Sequence, residues 1–423
     1  MRVGLKAALS DANVDERSPN NQRQLAISVE AIASTDLSGS RSVPLNLCLI
    51  LDHSGSMGGR PLKTVKQAAQ QLVDRLNPDN RLSVVVFDQR AKVIVPNGAI
   101  SDPRSIKRQI DKLHADGGTA INEGLRLGIE ELGKGKKDTV SQAFLLTDGE
   151  NEHGSNDKCL KFAKLATEYN LTLNTLGFGA HWNQDILEAI ADAGGGTMAY
   201  IERPEQAVDE FGRLFDRIQS VGLTNAYLRL SLMPKVRLAE LKPIAQVSPD
   251  AIELPVKSEG DLFLVRLGDL MTGDPRVVLA NLYISQLPLG SQTIAQVQIQ
   301  YDDPAVGQEG LRLRCAHATR SETLRVEANV VSAYKPSINP EVQPHLLALA
   351  KYRQTKLAET RLQQGDRSGA ATLLQTAAKT ALQMGDKGAA TVLQENATRL
   401  QSGEELSDED KKKTRIVSKT ILQ

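Results

Sequence analysis

Between Leu45 and Ser220 the chain alternates continuous apolar runs with stretches of helical periodicity, and this alternation constrains the fold more than any other feature. The run Leu45–Leu51 precedes a helical pattern over Pro61–Leu76, in which Leu62, Val65, Ala69, Leu72 and Leu76 recur at three- and four-residue spacing. Strand-like Leu82–Phe87 and a short Val93–Val95 follow, then helices over Arg104–Leu113 and Ile121–Leu132. Strand Ala143–Thr147, helix Asp157–Tyr169, strand Leu171–Phe178, helix Gln184–Ala193, strand Met198–Ile201 and helix Glu205–Ser220 complete the series. Strands that are apolar throughout, instead of at every second residue, are buried on both faces. The region is therefore expected to be a doubly wound, mostly parallel α/β sheet, whose ligands gather at the carboxyl ends of its strands.

The flanks follow another rule. Leu228, Leu230 and Leu232 alternate with Arg229 and Ser231, and Ala295, Val297, Ile299 and Tyr301 alternate with three glutamines. Leu25–Ile32 alternates in the same way, and Asp261–Leu267, Arg276–Gln286 and Thr323–Val331 read as further strands. A period of two implies antiparallel strands with one wet face. The expectation is an antiparallel β-sandwich built from both flanks, with the α/β domain inserted in it. From Pro340 the pattern is helical, with an echo of Gly365–Gln375 in Gly385–Gln394. In each copy a glycine closes one helix and an aspartate caps the next. The expected boundaries are 1–42 for N-terminal sandwich strands, 43–221 for the α/β domain, 222–336 for the sandwich, 337–405 for a helical hairpin or bundle, and 406–423 for a solvated charged tail.

Bulk properties exclude more than they assign. The 423 residues carry 51 Lys+Arg against 51 Asp+Glu, so nothing points to nucleic acid or an anionic membrane. No apolar h-region follows Arg2 and no window approaches a membrane span. Cys48, Cys159 and Cys315 are far apart and odd in number, which argues for a reduced, cytoplasmic setting.

Asp52-His53-Ser54-Gly55-Ser56 stands at the end of the first apolar strand. One carboxylate and two hydroxyls, each two residues apart, aim three oxygens at one point, a donor set suited to a hard dication. Each residue alone has a capping or turn explanation. Together with VVVFD (Val84–Asp88), GGTAINEGL (Gly117–Leu125), LLTDGENEHG (Leu145–Gly154) and GFGAHWNQDILEAIADAGGG (Gly177–Gly196), however, LILDHSGSMGG (Leu49–Gly59) makes Leu45–Ser220 resemble the von Willebrand factor type A (VWA) domain.

The resemblance implies a metal-ion-dependent adhesion site with Asp52, Ser54 and Ser56 from the first loop, Thr119 from the second and Asp148 from the third. It implies Mg²⁺, or Ca²⁺ or Mn²⁺ in its place, with one coordination position left for an Asp or Glu of a protein partner. In that family the threonine typically joins or leaves with conformational state. The arrangement is similar to integrin β-subunits and to inter-α-trypsin-inhibitor-like and bacterial VWA proteins. An alternative is an adaptor for a MoxR- or chelatase-type AAA+ ATPase, although the chain has no phosphate loop of its own. No enzyme is expected, since neither a G-x-S-x-G elbow nor a phosphate cradle is present. His53, His153 and His181 match no zinc spacing and read as surface loop residues. Trp182 reads as local packing and Asp185 as an early-helix residue beside the site.

Overall fold

The computed structural model describes residues 1–33, 43–179, 182–201, 203–304 and 320–419; Cys315 and His181 lie outside them. The chain opens with strands β1 (Arg2–Leu9), β2 (Asn13–Asp15) and β3 (Asn20–Ile32). It divides into two units, one containing residues 43–225 and the other 2–33, 226–301 and 320–419.

The first unit is the α/β one. Its elements are β4 (Leu45–Asp52), α1 (Arg60–Arg75), β5 (Arg81–Phe87), β6 (Ala91–Ala99), α2 (Pro103–Asp111), α3 (Ile121–Gly135) and β7 (Val140–Thr147). These are followed by α4 (Asn156–Glu168), β8 (Thr172–Phe178), α5 (Gln184–Gly194), β9 (Gly195–Ile201) and α6 (Ala207–Gln219). The sheet order is β6-β5-β4-β7-β8-β9. Every neighbouring pair is parallel except β5 with β6. The first strand in sequence thus lies in the middle, and the chain winds outward to one edge and then to the other. Between β4 and β7 the winding reverses, and a crevice opens beyond the strand ends at such a switch point.

All eight residues of β4 and all eight of β7 are buried, as expected for strands covered on both faces. Helix α3 sits unusually near the sheet because Gly124 and Gly128 face it: a Cβ at either would collide with Phe87 or Ile50. Phe144 and Phe211 meet edge to face, with centroids 6.1 Å apart. The edge strand β6 runs from Ala91 to Ala99, well beyond the expected Val93–Val95. Its outer residues are polar or half exposed, so apolar pattern alone underestimates its length.

The second unit adds β10 (Val221–Leu232), β11 (Val236–Leu238), β12 (Ile244–Ser248), β13 (Ile252–Glu253), β14 (Lys257–Glu259), β15 (Leu262–Met271), β16 (Arg276–Ser285), β17 (Gly290–Asp302) and β18 (Arg320–Val331). They form, with the N-terminal strands, the two layers of a β-sandwich: β1-β3-β16-β12-β13 with β11 on β16, and β14-β15-β10-β17-β18-β2. β3 pairs antiparallel with β16 along its length, from Asn20↔Ser285 to Val29↔Arg276. Leu25, Ile27 and Val29 of one layer and Leu228, Leu230, Val297 and Ile299 of the other are fully buried. Strands β1 and β11 to β14 carry no clear alternation, and nothing in the sequence pattern announced them.

Helices α7 (Gln343–Gln363), α8 (Arg367–Gln383) and α9 (Lys387–Gln401) pack through alanines, Ala370, Ala377, Ala378, Ala389 and Ala397 among them. Asp366 and Asp386 cap α8 and α9, accepting from Gly369 N at 2.8 Å and Ala389 N at 2.9 Å. The charged segment expected to be a solvated tail is instead helix α10 (Asp408–Lys419), with Lys412, Thr414 and Ser418 buried. Asn396 donates to the Thr414 hydroxyl at 2.7 Å, Arg399 meets Asp410 at 2.6 Å, and Arg415 meets Glu359 at 2.7 Å. Partners on α7 and α9 thus consume the charges that made the segment look solvated. No helix among the described residues is long and apolar enough to cross a membrane.

The two matched caps differ in one respect. Asp386 also meets Lys351, whose side chain is 0% exposed, at 3.3 Å, whereas the second partner of Asp366 is the half-exposed Arg361. Asp366→Ala should therefore cost about 1 kcal/mol, while Asp386→Ala, which also strips a carboxylate from a buried ammonium, should cost about 3 kcal/mol or more. Urea unfolding of the two variants checks this, and equal losses would contradict it. In the α/β unit, Gly128→Val should cost about 1–3 kcal/mol by overpacking against Ile50.

Candidate functional site

Asp52 ends β4 with its backbone still paired to Phe87 of β5, and its side chain is 0% exposed. Its carboxylate is held from two directions. Oδ1 accepts from Ser54 N at 2.8 Å, and Oδ2 accepts from the hydroxyl of Thr147, the last residue of β7. The chain then makes one 3-10 turn, Gly55–Met57, pinned by the fully buried Met57. That turn brings Ser54 Oγ within 3.1 Å of Ser56 Oγ, and Ser56 Oγ donates to Asp148 Oδ1 at 2.6 Å.

Thr119 arrives from the loop before α3. It is 3% exposed, and its Oγ1 lies 3.1 Å from the position a Cβ would take at Gly149, with Ser56 Oγ 3.7 Å from that same point. Asp52, Ser54, Ser56, Thr119 and Asp148 are thus brought together at the carboxyl ends of β4 and β7, at the switch point of the sheet. Gly117, at φ +73°, brings its carbonyl to 2.9 Å from Gly55 N, a backbone conformation that a side chain would strain.

The electrostatics follow from burial. The Asp52 carboxyl is pushed up to about 6: removal from water is the main cause and the charge of Asp148 adds to it, against hydrogen bonds from Thr147 and Ser54 that draw it down. Two carboxylates and three hydroxyls gathered at these strand ends are oxygen donors of the kind that suits a hard dication. Among the described residues no three His, Cys, Asp or Glu side chains gather as a metal cluster.

Neighbouring residues fall out differently from their sequence reading. His53 is buried and not a surface residue: its backbone N–H donates to Phe87 O at 2.9 Å and its ring Nδ1 lies 3.1 Å from His114 O. It staples the first loop to the second. His153 is exposed, with its ring over Gly118. Trp182 packs locally, donating from Nε1 to Gly179 O at 2.8 Å, with its ring 5.6 Å from that of Tyr200. Asp185 lies exposed in the first turn of α5. Cys48 and Cys159 are buried, and burial pushes both thiols up to about 12, which leaves them unreactive. Thr147 was missed, although a hydroxyl ending an apolar strand beside Asp148 was a signal. Gln89 and Asn151, which hold the Thr119 loop, gave none, because their partners are backbone amides.

The comparisons agree with this architecture. A von Willebrand factor type A domain model matches residues 46–213, and a "Sll0103-like, C-terminal alpha-helical domain" model matches residues 340–423. The solved "von Willebrand factor type A from Catenulispora acidiphila" covers 99% of this chain and 97% of its own at TM-score 0.80 and 17% identity, a likeness of fold. YfbK of Escherichia coli is 28% identical over 194 residues, 45% of this chain and 34% of that protein. The chain is a von Willebrand factor type A domain protein. Within that class it belongs to the family of the Synechocystis protein sll0103, to which it is 57% identical over 423 residues, covering 100% of this chain and 98% of the relative.

The raised Asp52 value has a consequence for ion-free protein. The folded-state value, about 6, lies above the ordinary 3.8, so this group's contribution to stability is greatest below pH 3.8 and is lost as pH rises through about 6. Asp52→Asn copies the protonated form and should raise stability at pH 8 in chelator by roughly 2–3 kcal/mol, with a flatter pH profile. Urea unfolding across pH measures it, and a less stable variant at pH 8 would contradict the burial argument.

Proposed function

We propose that the α/β unit holds one divalent cation through Asp52, Ser54, Ser56, Thr119 and Asp148, and uses it to capture a carboxylate of a protein partner. Mg²⁺ is the ion of choice, with Ca²⁺ or Mn²⁺ as substitutes. The supporting observation is the chain of oxygens from Asp52 through Ser54 and Ser56 to Asp148, with steps of 3.1 and 2.6 Å between the hydroxyls and the second carboxylate. A buried carboxyl pushed up to about 6 and two acidic groups around one point gain from a cation what they lose by leaving water.

The roles divide by residue type. Asp52 and Asp148 offset the charge of the dication, directly or through water. Ser54 and Ser56 give neutral hydroxyl oxygens that occupy positions without overbinding it, and Thr119 supplies the third hydroxyl. A bound ion would act as a Lewis acid with a position open to an outside oxygen. An Asp or Glu on a partner is the ligand with the charge and hardness to fill it. The chain's own contribution is to orient these oxygens and to shield Asp52 and Ser54 from water.

Isothermal calorimetry of the full chain tests the ion. Mg²⁺ and Mn²⁺ should bind with one site per chain and raise the melting temperature by mass action. The Asp52→Ala, Ser54→Ala double variant should lose at least tenfold in affinity, as expected for removal of ligands. Unchanged Mn²⁺ binding by that variant would overturn the assignment. For any partner found, EDTA and the same variant should abolish binding alike.

A further inference from the structure

The segment Gly117–Ile121 is tied to another loop at every residue. Gly117 O accepts from Gly55 N at 2.9 Å, Thr119 O accepts from His153 N at 2.9 Å, and Ala120 N donates to Asp88 O at 2.8 Å. The other two ties end on side chains. Gly118 N donates to Gln89 Oε1 at 3.0 Å, and Ile121 N donates to Asn151 Oδ1 at 2.8 Å. Asn122 Oδ1 returns the tie by accepting from Ser155 N at 2.9 Å. These anchors come from the loops after β4, β5 and β7, three separate strand ends.

Sterics close the cage further. A Cβ at Gly117 would lie 2.8 Å from Gln89 Oε1, and one at Gly118 would strike the His153 ring. Withdrawal of Thr119 would orphan several main-chain groups at once, in a place where Thr119 and Ala120 are buried.

Resting on the ion-binding reading above, we propose that Gln89 and Asn151 are positioning residues that keep the Thr119 hydroxyl at the ion site whether or not ion or partner is bound. The site of this chain is then permanently formed, in contrast to the mobile threonine that the family resemblance implies. Neither residue touches the ion. Each acts through a backbone amide that flanks Thr119: Gln89 fixes the amide before it and Asn151 the second amide after it. Together they set the direction in which the hydroxyl points.

Hydrogen exchange and Mn²⁺ calorimetry on the full chain test this. The amides of Gly118 and Ile121 should already be protected in EDTA, with Mg²⁺ adding no more than the mass-action stabilisation that ion binding gives. The Gln89→Ala, Asn151→Ala variant should lose that protection and bind Mn²⁺ about 10–100-fold more weakly. Gln89→Glu and Asn151→Asp, which keep the acceptor oxygen, should restore protection at Gly118 and Ile121. Gln89→Met, of similar length with no acceptor, should not. Parent-like Mn²⁺ affinity in the double alanine variant would overturn the proposal, as would unprotected, freely exchanging Gly118 and Ile121 amides in EDTA. Asp52→Ala separates the two failures. If it removes Mn²⁺ binding while the double variant does not, only the positioning role falls; if it too binds normally, the ion reading falls.

Discussion

A carboxylate buried at the end of a central parallel strand is the constraint around which this α/β unit is arranged. Asp52 cannot retreat toward water, because β4 is hydrogen-bonded on both sides and buried along its whole length. Its charge must be answered where it stands. Part of the answer is local: Ser54 folds back its amide and Thr147 reaches across from β7. Neutral donors leave the group still raised to about 6, so the site retains an appetite for positive charge. The order of the strands decides where that appetite is expressed. Since β4 and β7 are neighbours from which the chain departs in opposite directions, their loops part and leave the crevice open.

Which parts of this were legible follows from how local each signal is. Parallel strands buried on both faces announce themselves as unbroken apolar runs, and β4, β5, β7 and β8 did so. Capping is equally local, and Asp366 and Asp386 were recognisable from glycine and aspartate alone. The five site oxygens were legible through a spacing within one loop and a resemblance for the other two. Strands β1 and β11 to β14 were not, since β11, β13 and β14 are only two or three residues long and the side chains of β1 and β12 alternate poorly. Helix α10 was hidden for a related reason. Its lysines and acids look solvated until Glu359, Asn396 and Arg399 are placed beside them.

The residues that surround the site show the same division more sharply. His53 looked like a loop histidine, yet its neighbours turn it into a buried staple between two loops. Gln89 and Asn151 have no sequence signature at all, because an amide side chain that accepts from a backbone N–H can be read only once both loops are in place. Oxygens proposed to hold an ion need a fixed chemical identity, so sequence can point to them. Their supports need only an acceptor at the right distance, so sequence conceals them.

Rigidity of the Thr119 loop bears on ion choice. A dication that demands near-octahedral geometry at short distances is favoured by donors already in position, whereas a larger ion with seven or eight looser ligands is favoured by loops that can open. On the proposed reading, a Thr119 hydroxyl carried by a segment tied at every residue would belong to the first kind. The same rigidity changes what a partner must bring. Were the proposed carboxylate to dock, binding energy would not be diverted into ordering the site, and affinity would depend on how well the carboxylate and its flanks fit a fixed rim. Exposed Glu150 and Glu152 follow Asp148, and exposed Asp116 precedes the threonine loop, while Arg60 and Arg90 stand at the ends of two others. On the proposed reading, a rim of mixed sign with an acidic excess would disfavour a carboxylate lying in an acidic stretch and favour one flanked by basic residues.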